Sequence, residues 1–402
     1  MTSTVTPEMA AIIEADKNAV AGQVNLVAAL PGSGKTSLLQ KIVRESTVPT
    51  TYVMFNRKPL DEFKCFVERE KLNNVYVTTF HKFAFDAVRE CGINIRMTNG
   101  DSGGQNIPPE ISKMIKDEKL ENVSELLKKK PEIATRWFSK SSAGDWDACS
   151  EVVLYWMASA KHLPELLATS TVDRFLSSKK LYVDEAQDCT PNMVKIIKMA
   201  AERGASVTIA GDTNQSINGF MGACDPVGNY KTDFPNARRL PLSISWRFGQ
   251  AIADAFNTIT RERCVGRPDG AFQGRVDIVI QSGTNKTICD HIEDLKIAGI
   301  QAVKRGKKES SPECGDVEVS TVYQAKGGGW HTCIVMDDVI SRFTSKKQAR
   351  RLVATAVSRA RERLYVQRRL ACDYNIRESE RVKIFGSISE LHDVLATCGD
   401  AF

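Results

Sequence analysis

The sequence of 402 residues lacks several features that would set it apart from ordinary globular proteins. It has no apolar run approaching the roughly 18 residues that a membrane-spanning helix requires, and no N-terminal secretion signal with an apolar core. Its 11 cysteines are scattered and include no C-x-x-C pair. A zinc site, a disulfide framework, a membrane partner and secretion are therefore all disfavoured, and we expect an intracellular, soluble protein with reduced thiols.

The chain is long enough for two or three domains, each with its own core. Its formal net charge of +6 is compatible with a polyanionic partner but does not require one. Charge alone therefore leaves nucleic acid as one partner class among others.

The stretch VNLVAALPGSGKTSLLQKIV is typical of a phosphate-binding loop. A short apolar run predicts a buried strand, and the leucines from Ser37 onward have helical spacing. Between them, glycines let the backbone approach an anion, Lys35 adds a positive charge, and Thr36 is suited to bind Mg²⁺. Ala29 stands where the usual pattern has its first glycine. The predicted nucleotide-binding residues are Gly32, Ser33, Gly34, Lys35, Thr36 and Ser37.

Further motifs supply the other groups that nucleotide hydrolysis needs. In LYVDEAQD, Asp184 and Glu185 follow an apolar run, which suits the first carboxylate to Mg²⁺ and the second to orienting the attacking water. Gln215 in GDTNQSI is placed to sense a terminal phosphate, and Arg247 and Arg359 are suited to stabilise charge on the transferring phosphoryl group. Together with Lys35, these residues form the predicted catalytic set.

Apolar runs separated by helical patterns predict an α/β fold with parallel sheets. The predicted strands are 24–30, 50–55, 181–183 and 206–210 in the first half, and 275–280, 317–323, 332–336 and 364–367 in the second. Within the first half, between the predicted strands 50–55 and 181–183, the segment from Gly92 to about Ser177 is polar, bears many lysines and has helical character. The predicted organisation is a first domain of 1–92 and 178–242, a small helical insertion of 93–177, and a second domain of 243–402.

The ordered set of motifs resembles the superfamily 1 helicases of the UvrD/Rep type. Within that group YVMFNRK, WRFGQAIADAF and STVYQAKGGGWHTCIVMDD look most like F-box DNA helicases. The likeness runs from about Thr6 to Val366. It implies two RecA-like P-loop domains that bind ATP and Mg²⁺. The implied activity is ATP-driven 3′-to-5′ translocation on single-stranded DNA, or unwinding of a duplex with a single-stranded tail, in replication, repair or recombination. The short interval 248–320 resembles minimal motors of viruses and mobile elements.

The same resemblance implies a DNA-contacting set. Aromatic faces suit this role because bases stack on them regardless of sequence, each stack contributing roughly 1 to 3 kcal/mol. Phe220 stands where the relatives carry a stacking tryptophan. The implied DNA-binding residues are Phe55, Asn56, Arg57, Thr79, His81, Phe220, Thr321 and Lys326.

The sequence also departs from the family pattern. Met9 replaces a glutamine that reads adenine, so a strict preference for ATP is not expected. Asn218 replaces a tyrosine, Gly329 a glutamate and His331 an aspartate. Two alternatives stay open at this point: an RNA-directed helicase of the same fold, and a nucleotide-gated DNA clamp without productive turnover.

Overall fold

The computed structural model describes residues 5–55, 57–90, 96–97, 113–114, 116–118, 143–144, 154, 168–267, 277–297, 302–305, 317–340, 345–387 and 390. By its internal contacts the chain divides into two compact units. The first comprises Met1–Ala28, Lys35–Gly211 and Asn218–Leu240, and the second comprises Ala29–Gly34, Asp212–Ile217 and Pro241–Phe402. The glycine-rich turn thus belongs to the second unit, whereas the helix that follows it belongs to the first.

The first sheet is built from strands whose residues are largely buried. Its strands are β1 (Val24–Ala29), β2 (Thr50–Met54), β3 (Val75–Thr79), β6 (Lys180–Asp184), β7 (Ser206–Gly211) and β8 (Arg238–Leu242), and the short strands β4 (Arg96–Met97) and β5 (Ala143–Gly144) pair separately. The order is β3-β2-β6-β7-β1-β8, and pairing is parallel from β3 through β1. Every residue of β2 and β7 is buried, as expected for parallel strands covered on both faces.

The helices of the first unit cover this sheet. They are α1 (Pro7–Lys17), α2 (Lys35–Glu45), α3 (Arg57–Arg69), α4 (Phe80–Glu90), α5 (Ser170–Leu176), α6 (Pro191–Glu202) and α7 (Tyr230–Asp233). Helix α1 begins after the N-cap Thr6 and is anchored by the buried Asp16, whose carboxylate accepts hydrogen bonds from Lys180, Tyr182 and Thr208. Burying a carboxylate requires such partners, so this cluster fixes α1 against the sheet.

The second unit repeats the arrangement. Its strands are β9 (Ile278–Ser282), β10 (Ala302–Lys304), β11 (Val317–Thr321), β12 (Trp330–Val335), β13 (Ala360–Gln367) and β14 (Val382–Phe385), and its helices are α8 (Gln250–Thr260), α9 (Asn285–Ile297), α10 (Val322–Ala325), α11 (Lys346–Val357) and α12 (Arg368–Tyr374). The sheet order is β10-β11-β9-β12-β13-β14, with every pair parallel. Among the described helices, none combines the length and apolarity needed to cross a membrane.

The predicted α/β class with two parallel sheets is confirmed. The predicted strand 317–323 was too long by two residues: 322–323 are helical, because Thr321 and Gln324 form a capping box that starts α10. Positions 275–276 of another lie outside the described residues, as does most of the predicted helical insertion 93–177. The insertion and the domain boundaries therefore stay predictions.

Candidate active site

A pair of acidic residues lies at the carboxyl edge of the first sheet. Asp184 ends β6 and is fully buried, and Glu185 follows it with a φ of 53°. A glutamate in the left-handed region is uncommon and strained, and such residues cluster at functional sites. Short 3₁₀ geometry continues over Ala186–Asp188, so the chain turns sharply directly after the two carboxylates.

The first residues of α2 meet these two carboxylates. Thr36 Oγ1 donates to Asp184 Oδ2 over 2.9 Å, and Lys35 Nζ lies 3.2 Å from Glu185 Oε1. Tyr52 OH also donates to Asp184 Oδ2, over 2.8 Å. The sequence-predicted Lys35, Thr36, Asp184 and Glu185 are therefore in direct contact, although they come from two distant stretches of the chain.

Burial governs the electrostatics of this cluster. Burial first, and then the neighbouring negative charge of Glu185, raise the pKa of Asp184, while Lys35 opposes the shift. Burial first, and then the negative charge of Asp184, raise the pKa of Tyr52 well above its usual value, so the Tyr52 hydroxyl stays a donor. A buried carboxylate next to a second one favours a bound cation, because a cation offsets both the lost solvation and the repulsion.

The glycine-rich turn has the conformation that a phosphate cradle requires. Gly32 and Gly34 have φ of 71° and 84°. A Cβ on Gly32 would lie 2.5 Å from Arg247 Cβ and 2.8 Å from Ser245 Oγ, so no larger residue fits there. Among the described residues, the buried hydroxyl of Ser33 has no hydrogen-bond partner. An unpaired buried hydroxyl in a glycine turn fits a site that an anionic phosphate completes.

Arg247 and Arg359 lie together in the second unit, where both donate hydrogen bonds to neighbouring oxygen atoms of the chain. Arg247 Nη1 donates to the carbonyl of Ser358 over 3.0 Å. Arg359 is 0% exposed, and its guanidinium donates to Thr355 O, Gly328 O and Ser358 Oγ over 3.0, 3.1 and 2.8 Å. In this arrangement Arg359 joins the end of α11 to the glycine loop before β12. Its predicted contact with a phosphate stays a prediction.

Gln215 and Ser37 are the remaining residues predicted for the nucleotide site. Gln215 is nearly buried, and its Nε2 donates to Asp212 Oδ2 over 2.7 Å. Ser37 is exposed in the first turn of α2. The side chain of Gln215 is thus held by its own loop, which belongs to the same unit as the glycine-rich turn.

Several predicted DNA-binding residues follow strand ends of the first sheet. The ring of Phe55 follows β2 and meets His81 edge-on, with centroids 5.2 Å apart. Thr79 ends β3, and its hydroxyl caps α4 by accepting from the Lys82 N–H over 3.0 Å. Met54 is the register partner of both Thr79 and Asp184, so the two predicted sets share one sheet edge.

The other predicted DNA-binding residues are described in part. Asn56 and the side chain of Arg57 lie outside the described residues, and so does the side chain of Phe220, whose backbone belongs to a 3₁₀ turn over Asn218–Met221. In the second unit Thr321 caps α10 and Lys326 follows its last turn. Whether any of these residues contacts DNA stays a prediction.

Three further residues contact these sites without having been predicted from the sequence. Tyr52 binds Asp184, and Gln187 Nε2 donates to Glu185 Oε2 over 2.5 Å. Trp246 is 38% exposed, and its backbone N–H donates to the Gly32 carbonyl over 2.8 Å. The sequence signal for the tryptophan was its position beside Arg247, whereas Tyr52 lies mid-strand and carries no such signal.

Two family models and several known proteins match parts of the chain. The AAA domain family matches residues 13–221, and the UvrD-like helicase C-terminal domain matches residues 316–367. The ATP-dependent DNA helicase PcrA of Leuconostoc citreum is 36% identical over 80 residues, which cover 20% of this chain and 11% of that protein. PcrA of Staphylococcus epidermidis is 22% identical over 287 residues, which cover 61% of this chain and 39% of the relative.

Solved helicase structures resemble the chain more distantly. An Arterivirus nonstructural protein 10 helicase in complex with DNA gives a TM-score of 0.36 at 14% identity, covering 86% of this chain and 60% of that one. The PRRSV helicase gives a TM-score of 0.34 at 14% identity, covering 98% and 69%. Of the two PcrA proteins, by contrast, the matches cover only 11% and 39%, so this chain spans well under half the length of these curated relatives.

Proposed function

The chain belongs to the superfamily 1 helicases of the UvrD/Rep type, and from this premise we propose that it hydrolyses ATP to move along single-stranded DNA. The observation that carries the proposal is the contact of Lys35 and Thr36 with Glu185 and Asp184. These are the side chains that phosphoryl transfer to water requires, and they are brought together from two distant stretches of the chain. The PcrA relatives, named as ATP-dependent DNA helicases, support the same assignment.

The chain's own residues divide the hydrolytic work. The backbone of the glycine turn and the Ser33 hydroxyl hold the phosphates, and Lys35 moves from Glu185 to the phosphate charge. Glu185, released from that ion pair, accepts a hydrogen bond from the attacking water, while Gln187 holds its second oxygen. Thr36 and Asp184 are the residues that would hold Mg²⁺, which supplies charge neutralisation at the transferring phosphoryl group.

Trp246 is the proposed platform for the nucleotide base. Trp246 is partly exposed, and its backbone N–H donates to the Gly32 carbonyl in the glycine-rich turn. A nucleotide held by that turn would therefore lie near the apolar side chain of Trp246. Bases stack on aromatic faces without hydrogen-bond readout. Recognition by stacking fits the presence of Met9, which cannot make paired hydrogen bonds to adenine.

DNA is the proposed polymer, gripped by the side chains at the strand ends of the two units. The ring pair Phe55 and His81 supports this on the first sheet, because an aromatic at the carboxyl edge is suited to stack on a base. Travel from 3′ to 5′ and roles in replication, repair or recombination follow from kinship and belong to the proposal.

Steady-state ATP hydrolysis with and without a single-stranded DNA oligonucleotide tests the proposal. We expect strong stimulation by DNA in the parent protein and a loss of turnover of about 100-fold or more in Glu185→Gln, since the attacking water loses its acceptor. Glu185→Gln keeps the volume of the side chain, and its nucleotide affinity, measured with a fluorescent ATP analogue, serves as the control for folding.

Other outcomes would assign the chain differently. A matched RNA oligonucleotide that stimulates more than DNA would make it an RNA-directed motor. Tight, nucleotide-dependent DNA binding without any turnover would make it a clamp. A Lys35→Ala protein that hydrolyses ATP at the parent rate would contradict the phosphate site itself.

A further inference from the structure

A loop of the first unit, residues 218–224, is tied at both ends to two consecutive residues. At its start, Asn218 Nδ2 donates to Asp188 Oδ1 over 3.0 Å. At its end, the backbone N–H and the thiol of Cys224 both approach the carbonyl of Cys189, at 2.9 and 3.2 Å. The loop carries Phe220 between these two ties, and both ties lead to the consecutive residues Asp188 and Cys189.

The same two residues close the turn that begins at Glu185. The N–H of Asp188 donates to the Glu185 carbonyl over 3.0 Å, and the N–H of Cys189 donates to the Ala186 carbonyl over 3.0 Å. Gln187, which lies inside this turn and directly precedes Asp188, donates to the Glu185 carboxylate. A shift of Glu185 therefore displaces Asp188 within a single 3₁₀ turn, because the turn is too short to absorb the change.

Asp188 is only 1% exposed, so its carboxylate depends on its hydrogen bonds. A buried carboxylate that loses a donor bears an uncompensated desolvation cost, whereas a solvated one does not. The donor Asn218 is therefore held to Asp188 as the turn moves. Since Asn218 also begins the 3₁₀ turn that carries Phe220, the loop follows the turn.

We propose that Asn218 is a positioning residue that couples the Glu185 turn to the 218–224 loop, so that a nucleic acid strand gripped by the loop accelerates hydrolysis. This inference rests on the proposed function, because it specifies how DNA regulates the hydrolytic site. Asn218 touches neither of the proposed reacting groups and acts through Asp188.

A charge exchange tests the tie. Asn218→Asp sets two carboxylates against each other, and we expect the ratio of DNA-stimulated to basal ATP hydrolysis to fall about five- to tenfold, with the basal rate unchanged. Adding Asp188→Asn to this variant restores a donor and an acceptor in exchanged positions, and the ratio should return to within about twofold of the parent. Failure of the double variant to recover, with a parent-like melting temperature, would overturn the tie.

Asn229→Ala is the matched control in the same region. It removes an amide hydrogen bond of 2.7 Å to the Cys224 carbonyl without touching Asp188. We expect it to leave the stimulation ratio unchanged. Equal losses in Asn218→Asp and Asn229→Ala would overturn the proposal, because they would show that loop order in general, and not the contact with Asp188, governs stimulation.

Hydrogen–deuterium exchange separates this inference from the proposed function. On adding a non-hydrolysable ATP analogue with Mg²⁺, we expect the amides of 186–190 and 218–224 to change protection together in the parent, and only 186–190 to change in Asn218→Asp. An absent DNA stimulation in the parent would refute the motor, while the exchange data still decide the tie. A loop that does not respond in the parent overturns the tie whatever the ATPase data show.

Discussion

At the glycine-rich turn, the space around the backbone limits which residue can be present as much as the chemistry does. Gly32 combines a left-handed φ of 71° with a neighbour that a Cβ would meet at 2.5 Å. Gly327 has a similar φ of 87°, but no described atom lies within 4 Å of the position that its Cβ would take. Both glycines belong to the same unit and have a left-handed φ, but only Gly32 is crowded. Comparing substitutions at the two positions therefore separates the cost of backbone strain from the cost of steric overlap.

We expect Gly32→Ala to lower the free energy of unfolding by about 2 to 4 kcal/mol, because left-handed strain and overpacking add. Gly327→Ala should cost only the strain, about 1 to 2 kcal/mol. Urea unfolding of both variants measures the difference. Equal costs would contradict the close packing of Gly32 against Arg247 and Ser245.

The residue at position 9 sets the expected nucleotide preference. Met9 lies in the first turn of α1, where its N–H donates to the Thr6 hydroxyl over 3.2 Å. A thioether makes no paired hydrogen bonds to a base, so we expect kcat/KM for ATP and GTP to agree within about tenfold. Met9→Gln should raise the preference for ATP, as measured by steady-state kinetics with both nucleotides.

The neighbouring Ala10→Gln is the control for Met9→Gln, since position 10 is exposed on the same helix. It should leave the ratio of ATP to GTP use unchanged. Strong discrimination for ATP in the parent protein would show that other groups read the base.

At the scale of elements, the sequence predicted the long buried strands well and their ends less well. The runs at 24–30 and 206–210 are continuous and apolar, and they became β1 and β7 with an error of a residue at one end. Strand β8 was not predicted, because it is short, has two exposed arginines and contains Pro241, and proline is confined to the edges of sheets.

The site was predictable where chemistry is local and unpredictable where it depends on packing. Lys35, Thr36, Asp184 and Glu185 were found because glycine turns and paired carboxylates after a strand leave a readable pattern. The burial of Arg359 left no such pattern, since two of its partners are carbonyl oxygens, which any residue provides. Tyr52 reaches Asp184 only through the pairing of β2 with β6, which no local pattern encodes.

The junction of β9, α9 and the 3₁₀ turn after β12 depends on one carboxylate. Asp338 Oδ2 accepts from Ser282 Oγ over 2.7 Å. Burial by itself raises the pKa of Asp338, but His291, the hydroxyls of Ser282 and Thr287, and the Gly283 N–H lower it to about 2. Its ionised form therefore stabilises the fold above the unfolded pKa of about 3.9, and this contribution is lost as the pH falls through about 2.

We expect Ser282→Ala to lower the free energy of unfolding by about 1.5 to 3 kcal/mol at pH 7, because a charged acceptor loses a donor. The deficit should shrink as the pH falls below about 4. Ser320→Ala, which removes a buried hydroxyl bonded to a backbone carbonyl, should show a deficit independent of pH. Urea unfolding at pH 7, 4 and 3 measures both, and a constant deficit in Ser282→Ala would contradict the role of Asp338.

At the scale of the whole molecule, the two units share one principle. In a parallel sheet all carboxyl ends meet at one edge, so side chains that follow different strands converge there. The first unit brings Thr79 and Asp184 to such an edge, and the second pairs Thr321 with Ser282 at its own. In the first unit, residues predicted for hydrolysis and for DNA contact therefore lie on one common edge, which is the arrangement that the proposed link between hydrolysis and DNA binding needs.

The proposed function requires travel in one direction along DNA, and we expect this travel to run from 3′ to 5′. A protein moving this way displaces streptavidin from a biotin at the 5′ end of an oligonucleotide faster than from one at the 3′ end, because it collides only with the block ahead of it. Displacement from both ends, with ATP and without, is the measurement. Glu185→Gln should displace from neither end above the spontaneous rate, since binding without turnover does no work on the block. Faster displacement from the 3′ end would reverse the polarity and leave the hydrolytic assignment intact, whereas equal, ATP-independent displacement would remove translocation from the proposal.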